Sequence, residues 1–259
     1  MNRKKIYTII SILVWLIIWF IVAFFIDNPI FLPGPFDVIL AFGKLLSDKD
    51  YYLTILTSLR GIGIGFVIGV VIGILFAVIS YINAFMNTFI GILMKTVKSI
   101  PVASFIIFAL FMVNSSSLSI LISALIVVPI IYGSFLSSLM GTDKKLIEFS
   151  QVFRLSPPKK ILYIYLPTTI VPLISACRIA IGYAFKSGVA AEIIGLIRGT
   201  IGNEIYKTKL YLASDELFAW TISIVIVCFI CEKIIVEILK LLTPGRFTCS
   251  QKKENSNAD

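Results

Sequence analysis

The chain has 259 residues, of which 58% are hydrophobic and only 14% charged, with a net charge of +9 and no histidine. A soluble domain carries about 25% charged residues, so the deficit excludes an ordinary water-soluble protein. The missing histidines remove the commonest general base and the commonest metal ligand, and basic residues gathered between apolar runs point to membrane topology rather than nucleic acid.

The N-terminus reads MNRKK, then an apolar run over 6–26. That run exceeds the usual signal-peptide core and no small-residue cleavage site follows it, so it is expected to be a retained first span. Next comes FLPGPFDVILAFGKLLSD. Its Pro-Gly-Pro turn leads into Phe36, Ile39, Leu40, Phe42 and Leu46 at helical spacing, as in a helix lying at the membrane interface.

Five further spans are expected near 55–81, 90–113, 118–140, 168–197 and 217–239, making an all-α polytopic membrane protein of six spans. The second holds Gly65, Gly69 and Gly73, consecutive small-xxx-small steps that let another helix approach closely, either in the same chain or in a second copy. Pro101 and Pro129 are expected to start or kink helices.

Charge bias sets the orientation. With the N-terminus inside, the inner segments hold Arg3, Lys4, Lys5, Lys95, Lys98, Lys144, Lys145, Arg154, Lys159, Lys160, Lys233, Lys240, Arg246, Lys252 and Lys253. The outer ones hold only Lys44, Lys49, Arg60, Arg198, Lys207 and Lys209. Both termini are therefore expected in the cytoplasm.

On that orientation GTDKKLIEFSQVFRLSPPKKILYIYLP, residues 141–167, is cytoplasmic. Thr142 or Asp143 can cap a short helix that gathers Leu146, Phe149, Val152 and Phe153 on one side, with Glu148 and Gln151 elsewhere around it. Ser156 can cap a second helix whose first turn accepts Pro157 and Pro158, and Pro167 is expected to stop or kink the chain at the membrane. An apolar face displayed in the cytoplasm fits a docking surface; a loop resting on lipid is the alternative.

The fifth span carries three charges. Arg178 and Glu192 lie 14 residues apart, about 40° around and roughly 21 Å along a helix, so they share a face without touching. Lys186 falls between them, six residues from Glu192, the wrong spacing for an intrahelical pair. It either lines a pathway for an anionic or polar solute or meets a structural partner from elsewhere. Cys228 and Cys231 form a CxxC inside the apolar run WTISIVIVCFIC and read as two small apolar residues on a helix; with Cys177 and Cys249 they do not suggest an oxidised framework.

Several motifs together resemble one family. The 141–167 segment is similar to the cytoplasmic "EAA" loop of ABC importer permeases: Glu148 takes the Glu position, and Ile164, Leu166 and Pro167 fall at the required spacings. Phe149 and Ser150 replace two alanines, and Arg154 stands where the family has a glycine. FLPGPFDVI, TSLRGIGIGFVIGVVIG, VKSIPVASF and ISACRIAIGYAFKSGVAAEIIG resemble the corresponding stretches of nitrate/sulfonate/taurine-type permeases. The resemblance implies a single permease domain with core 55–242, coupling loop 141–167 and cytoplasmic tail 243–259. It further implies a homodimer, a cytoplasmic ATP-binding subunit docked on Glu148, Phe149, Gln151, Phe153 and Arg154, and an extracytoplasmic solute-binding protein. No cofactor, metal or nucleic acid is implied. The absence of a G-x-x-x-x-G-K-[ST] phosphate loop assigns ATP chemistry to another chain. Two alternatives are an integral membrane enzyme acting on lipid and an ion-coupled secondary transporter, for which clustered or mid-membrane carboxylates are wanting.

Overall fold

The computed structural model describes residues 3–241, and every regular element in that range is helical. Helix α1 (Arg3–Ile26) is exposed over nearly its whole surface, as suits a helix surrounded by lipid. Its C-terminal part is tied down: Trp19 Nε1 donates to the Pro33 carbonyl at 3.2 Å and the indole stacks on Phe218. Helix α2 (Pro35–Ser47) follows with Gly34 as N-cap. It turns Val38 and Ala41 inward and Phe36, Ile39 and Leu40 outward. In lipid the large apolar side chains can face out and the small ones can pack, the reverse of a soluble amphipathic helix.

The bundle is built on α3 (Lys49–Ile82), α6 (Ser115–Met140) and α9 (Leu166–Gly195). Gly65, Gly69 and Gly73 face α6 of the same chain. A Cβ on Gly69 would stand 2.6 Å from Val127 Cβ, and one on Gly73 would stand 2.9 Å from Ile131 Cβ. The register rises on both helices together, so α3 and α6 run parallel. In α9, by contrast, Ser123 Oγ donates to the Ala184 carbonyl and Ser134 Oγ to the Pro172 carbonyl, each at 3.2 Å. That order makes α9 antiparallel to α6, and Ile62, Val127, Ile131, Ala180, Ile181 and Ala184 fill the seam between the three helices.

Between α3 and α6 the chain returns through α4 (Ala84–Ser99) and α5 (Val102–Leu110), bent by 97° at their junction. Pro101, the N-cap of α5, causes the break, because it lacks the N–H that continuation would use. The expected third span, 90–113, is therefore two helices. Lys98 sits at this break, exposed, and lines a cavity with Ile126, Pro129 and Ile130 of α6.

Helices α7 (Lys144–Val152) and α8 (Pro157–Lys160) occupy the 141–167 segment. A π-helical turn, Ile161–Tyr165, joins α8 directly to α9, so Pro167 does not stop the chain. The Leu166 N–H reaches back to the Ile161 carbonyl. This widened turn lets the helix run on into Pro167, which has no N–H to offer. Helix α10 (Ile201–Tyr211), capped by Thr200, fills the outer connection to α11 (Ser214–Leu241).

Among the described residues four helices are long and apolar enough to cross a membrane, and the bent α4–α5 pair would make a fifth. The sixth expected span lies within α11. Arg246, Lys252, Lys253, Cys249 and the tail 243–259 lie outside the described residues.

Candidate functional site: a displayed loop and charges at membrane depth

Asp143 caps α7 by accepting the Lys145 N–H at 2.9 Å. Thr142, the other candidate, instead turns inward to within 3.4 Å of Thr168 Oγ1. At the other end the Arg154 N–H donates to the Gln151 carbonyl and the Leu155 N–H to the Ser150 carbonyl. These two bonds are the paired closure of a Schellman motif, which requires a left-handed residue between cap and exit. Arg154 is that residue, with φ 47°. The arginine thus holds the geometry for which glycine is suited, at a cost of roughly 1 kcal/mol.

The helix so closed is buried on one side only. Ser150 is inaccessible, its hydroxyl donating to the Ile147 carbonyl. Glu148, Phe149, Gln151, Val152, Phe153 and Arg154 are all exposed. The Phe149 and Phe153 rings lie 4.3 Å apart and form one apolar knob, with Val152 78% exposed beside them. Ile164 is buried and Leu166 and Pro167 are half-buried, so the end of the motif is a root rather than a display. Tyr165 meets Tyr81 of α3, hydroxyl to hydroxyl at 3.3 Å. The root is thereby fastened to the C-terminal end of α3. Ser156 takes the cap position of α8 but makes no side-chain cap bond.

The three charges of α9 have different surroundings. Glu192 is fully buried. Its Oε2 accepts from Ser58 Oγ at 2.8 Å and from the Gly202 N–H at 3.1 Å, while Ser58 Oγ accepts the Ile201 N–H at 2.8 Å. One carboxylate oxygen therefore clamps α3, α9 and the first turn of α10, where backbone donors and the helix dipole favour an acceptor. The other oxygen, Oε1, has no hydrogen-bond partner among the described residues. Ser58 and Thr200 belong to this cluster and were not legible from spacing, since Ser58 lies 134 residues from Glu192.

Arg178 pairs with Glu232 of α11, Nε to Oε1 at 4.0 Å. Both remain partly exposed. Lys186 has no ion-pair partner among the described residues and lies 5.7 Å from the Tyr183 ring centroid. Ser175, Arg178, Tyr183 and Lys186 are exposed along one face of α9. This polar stripe, interrupted by exposed Ile179, occupies residues 175–186 of α9. Lys186 opens with Lys98 onto a cavity of about 620 Å³ bounded by Ile126, Pro129 and Ile130 of α6. Among the described residues no group of three His, Cys, Asp or Glu side chains is placed to hold a metal ion.

A family profile described as "binding-protein-dependent transport system inner membrane component" matches residues 69–243. No curated protein matches the chain. Among solved structures, a chain of a bacterial alginate ABC transporter, in complex with an alginate pentasaccharide-bound periplasmic protein, is similar with a TM-score of 0.61. The likeness is at 16% identity and covers 93% of this chain and 95% of that one.

Proposed function

The chain belongs to the binding-protein-dependent transport system inner membrane components, and from that premise we propose that it is the permease subunit of an ATP-driven importer of a small solute such as a sulfonate, nitrate or taurine. Two copies form the pathway. A separate cytoplasmic subunit hydrolyses ATP, and an extracytoplasmic binding protein delivers solute. The similar alginate transporter is itself seen with a periplasmic binding protein, which supports the last of these partners.

The observation that carries the reading is the α7 knob. Phe149 and Phe153 stand exposed together on a short capped helix whose root is bonded to the bundle. Large apolar side chains are displayed in this way chiefly to fill a partner's groove. When the ATP-binding subunits close, movement of α7 passes through the π-helical turn into α9, and through Tyr165–Tyr81 into α3. The polar stripe of α9 supports the homodimer. Charged groups left against lipid cost several kcal/mol, so a second copy and a water-filled path between the copies suit Arg178 and Lys186 better than hydrocarbon does.

Purification in mild detergent, with mass spectrometry of the co-purifying proteins, tests the assembly. An ATP-binding protein should accompany the wild type and be lost or weakened with Glu148→Arg. Its absence even after crosslinking in membranes would refute the proposal.

A further inference from the structure

We infer that Lys98 and Lys186 act together as an anion-selecting pair within the translocation pathway, so that the solute carried is a small anion; this rests on the permease reading above. The break between α4 and α5 brings the first lysine to the site. Lys98 is the penultimate residue of α4, just ahead of the 97° bend, and its exposed side chain reaches α6 beside Gly133. Lys186 comes from the exposed stripe of α9. Both line the same cavity of about 620 Å³, whose other walls include Pro129, Ile130 and Tyr183 and contain no carboxylate. The ion pairs Arg178–Glu232 and Lys207–Glu204 lie outside that lining.

An ammonium group in an apolar cavity is costly unless it is paired or hydrated, and two on one cavity repel each other as well. A small anion entering between them offsets both penalties. A pocket of this size holds a small organic ion, and its apolar walls offer few other contacts, as passage through a site requires. A lipid headgroup is a poor source of the anion. Pro129 is the fifteenth residue of the 26-residue α6, with about 21 Å of helix on one side and about 16 Å on the other.

The potential at the cavity can be read without knowing the solute. The full chain, with Cys177, Cys228, Cys231 and Cys249 replaced by Ala, receives Ile126→Cys in the cavity wall. Membranes are treated with anionic sulfonatoethyl or cationic trimethylammonioethyl methanethiosulfonate. Each rate is normalised to the same reagent's rate with a free thiol. Any effect of the lysines on thiolate fraction cancels in the ratio of the two rates. With both lysines present the anionic reagent should be favoured at least tenfold. Lys98→Gln and Lys186→Gln should each lower that ratio about fivefold, as expected for a unit charge several ångströms away in a wet cavity. Lys186→Arg should preserve it. A ratio near one, or one unmoved by either glutamine, overturns the anion pair and leaves the permease reading standing. If neither charged reagent reaches the cysteine while lipid-soluble N-ethylmaleimide does, the cavity faces lipid, and the pathway assignment falls with the inference.

Discussion

Adding a single methyl group at Gly69 should force α3 and α6 apart. A Cβ there would lie 2.6 Å from Val127 Cβ, 2.8 Å from Val127 Cγ1 and 3.0 Å from the Ala124 carbonyl oxygen. Carbon atoms in contact prefer about 3.5–4.0 Å, so the helices must separate locally by roughly 1 Å. Neither obstacle can swing aside, because one is a β-branched side chain and the other is backbone. Overpacking of this kind costs about 1–3 kcal/mol, while replacing glycine in a helix returns up to about 1 kcal/mol. Gly69→Ala should therefore destabilise the chain by about 1–2 kcal/mol. Gly63 lies on the same helix with nothing within 4 Å of its built Cβ, so Gly63→Ala should be neutral or slightly stabilising. Equilibrium unfolding in mixed micelles with increasing SDS, followed by tryptophan fluorescence, measures both. A Gly69→Ala midpoint equal to that of wild type, or an equal loss from Gly63→Ala, would refute the close-packed α3–α6 seam.

Glu192→Ala should cost about 1–3 kcal/mol, because Ser58 and the Gly202 N–H lose their buried acceptor; faster hydrogen exchange at the Ile201 and Gly202 amides would show the loss at α10. Arg154→Gly should relieve the left-handed backbone and stabilise the end of α7 by about 1 kcal/mol, read as slower exchange of the Leu155 amide. Phe149→Ala with Phe153→Ala should leave the unfolding midpoint within about 0.5 kcal/mol of wild type, since both rings are exposed, while abolishing co-purification of an ATP-binding subunit.

Where local chemistry decided the structure, the sequence was informative. Asp143 two residues before the Lys145 amide, an aromatic pair at i and i+4, and prolines where a first turn tolerates them marked the α7–α8 loop. The glycine spacing marked a close helix contact, yet the identity of the partner helix depends on a register that only the packed bundle sets. The 90–113 run reads as one apolar span, and nothing short of the packed structure shows the 97° bend that Pro101 puts in it. Pro167 is a residue that would stop or kink a chain, but the π-helical turn ahead of it absorbs the missing donor and the chain does not stop there. The Glu192 clamp and the Arg178–Glu232 pair join residues far apart in the chain, and no periodicity within one helix can show them. Helix α10 was hidden because its polar residues look like an outer loop, while Ile201, Gly202 and Asn203 are buried against the bundle.

The central claim is that α7 seats in an ATP-binding subunit, and site-specific photocrosslinking in membranes addresses it most directly. A benzophenone amino acid at Phe153 should capture a protein containing a G-x-x-x-x-G-K-[ST] phosphate loop, and the same probe at Trp15, on the lipid-exposed face of α1, should not. Capture only of lipid or of a second copy from Phe153, with no ATP-binding protein, would contradict the account.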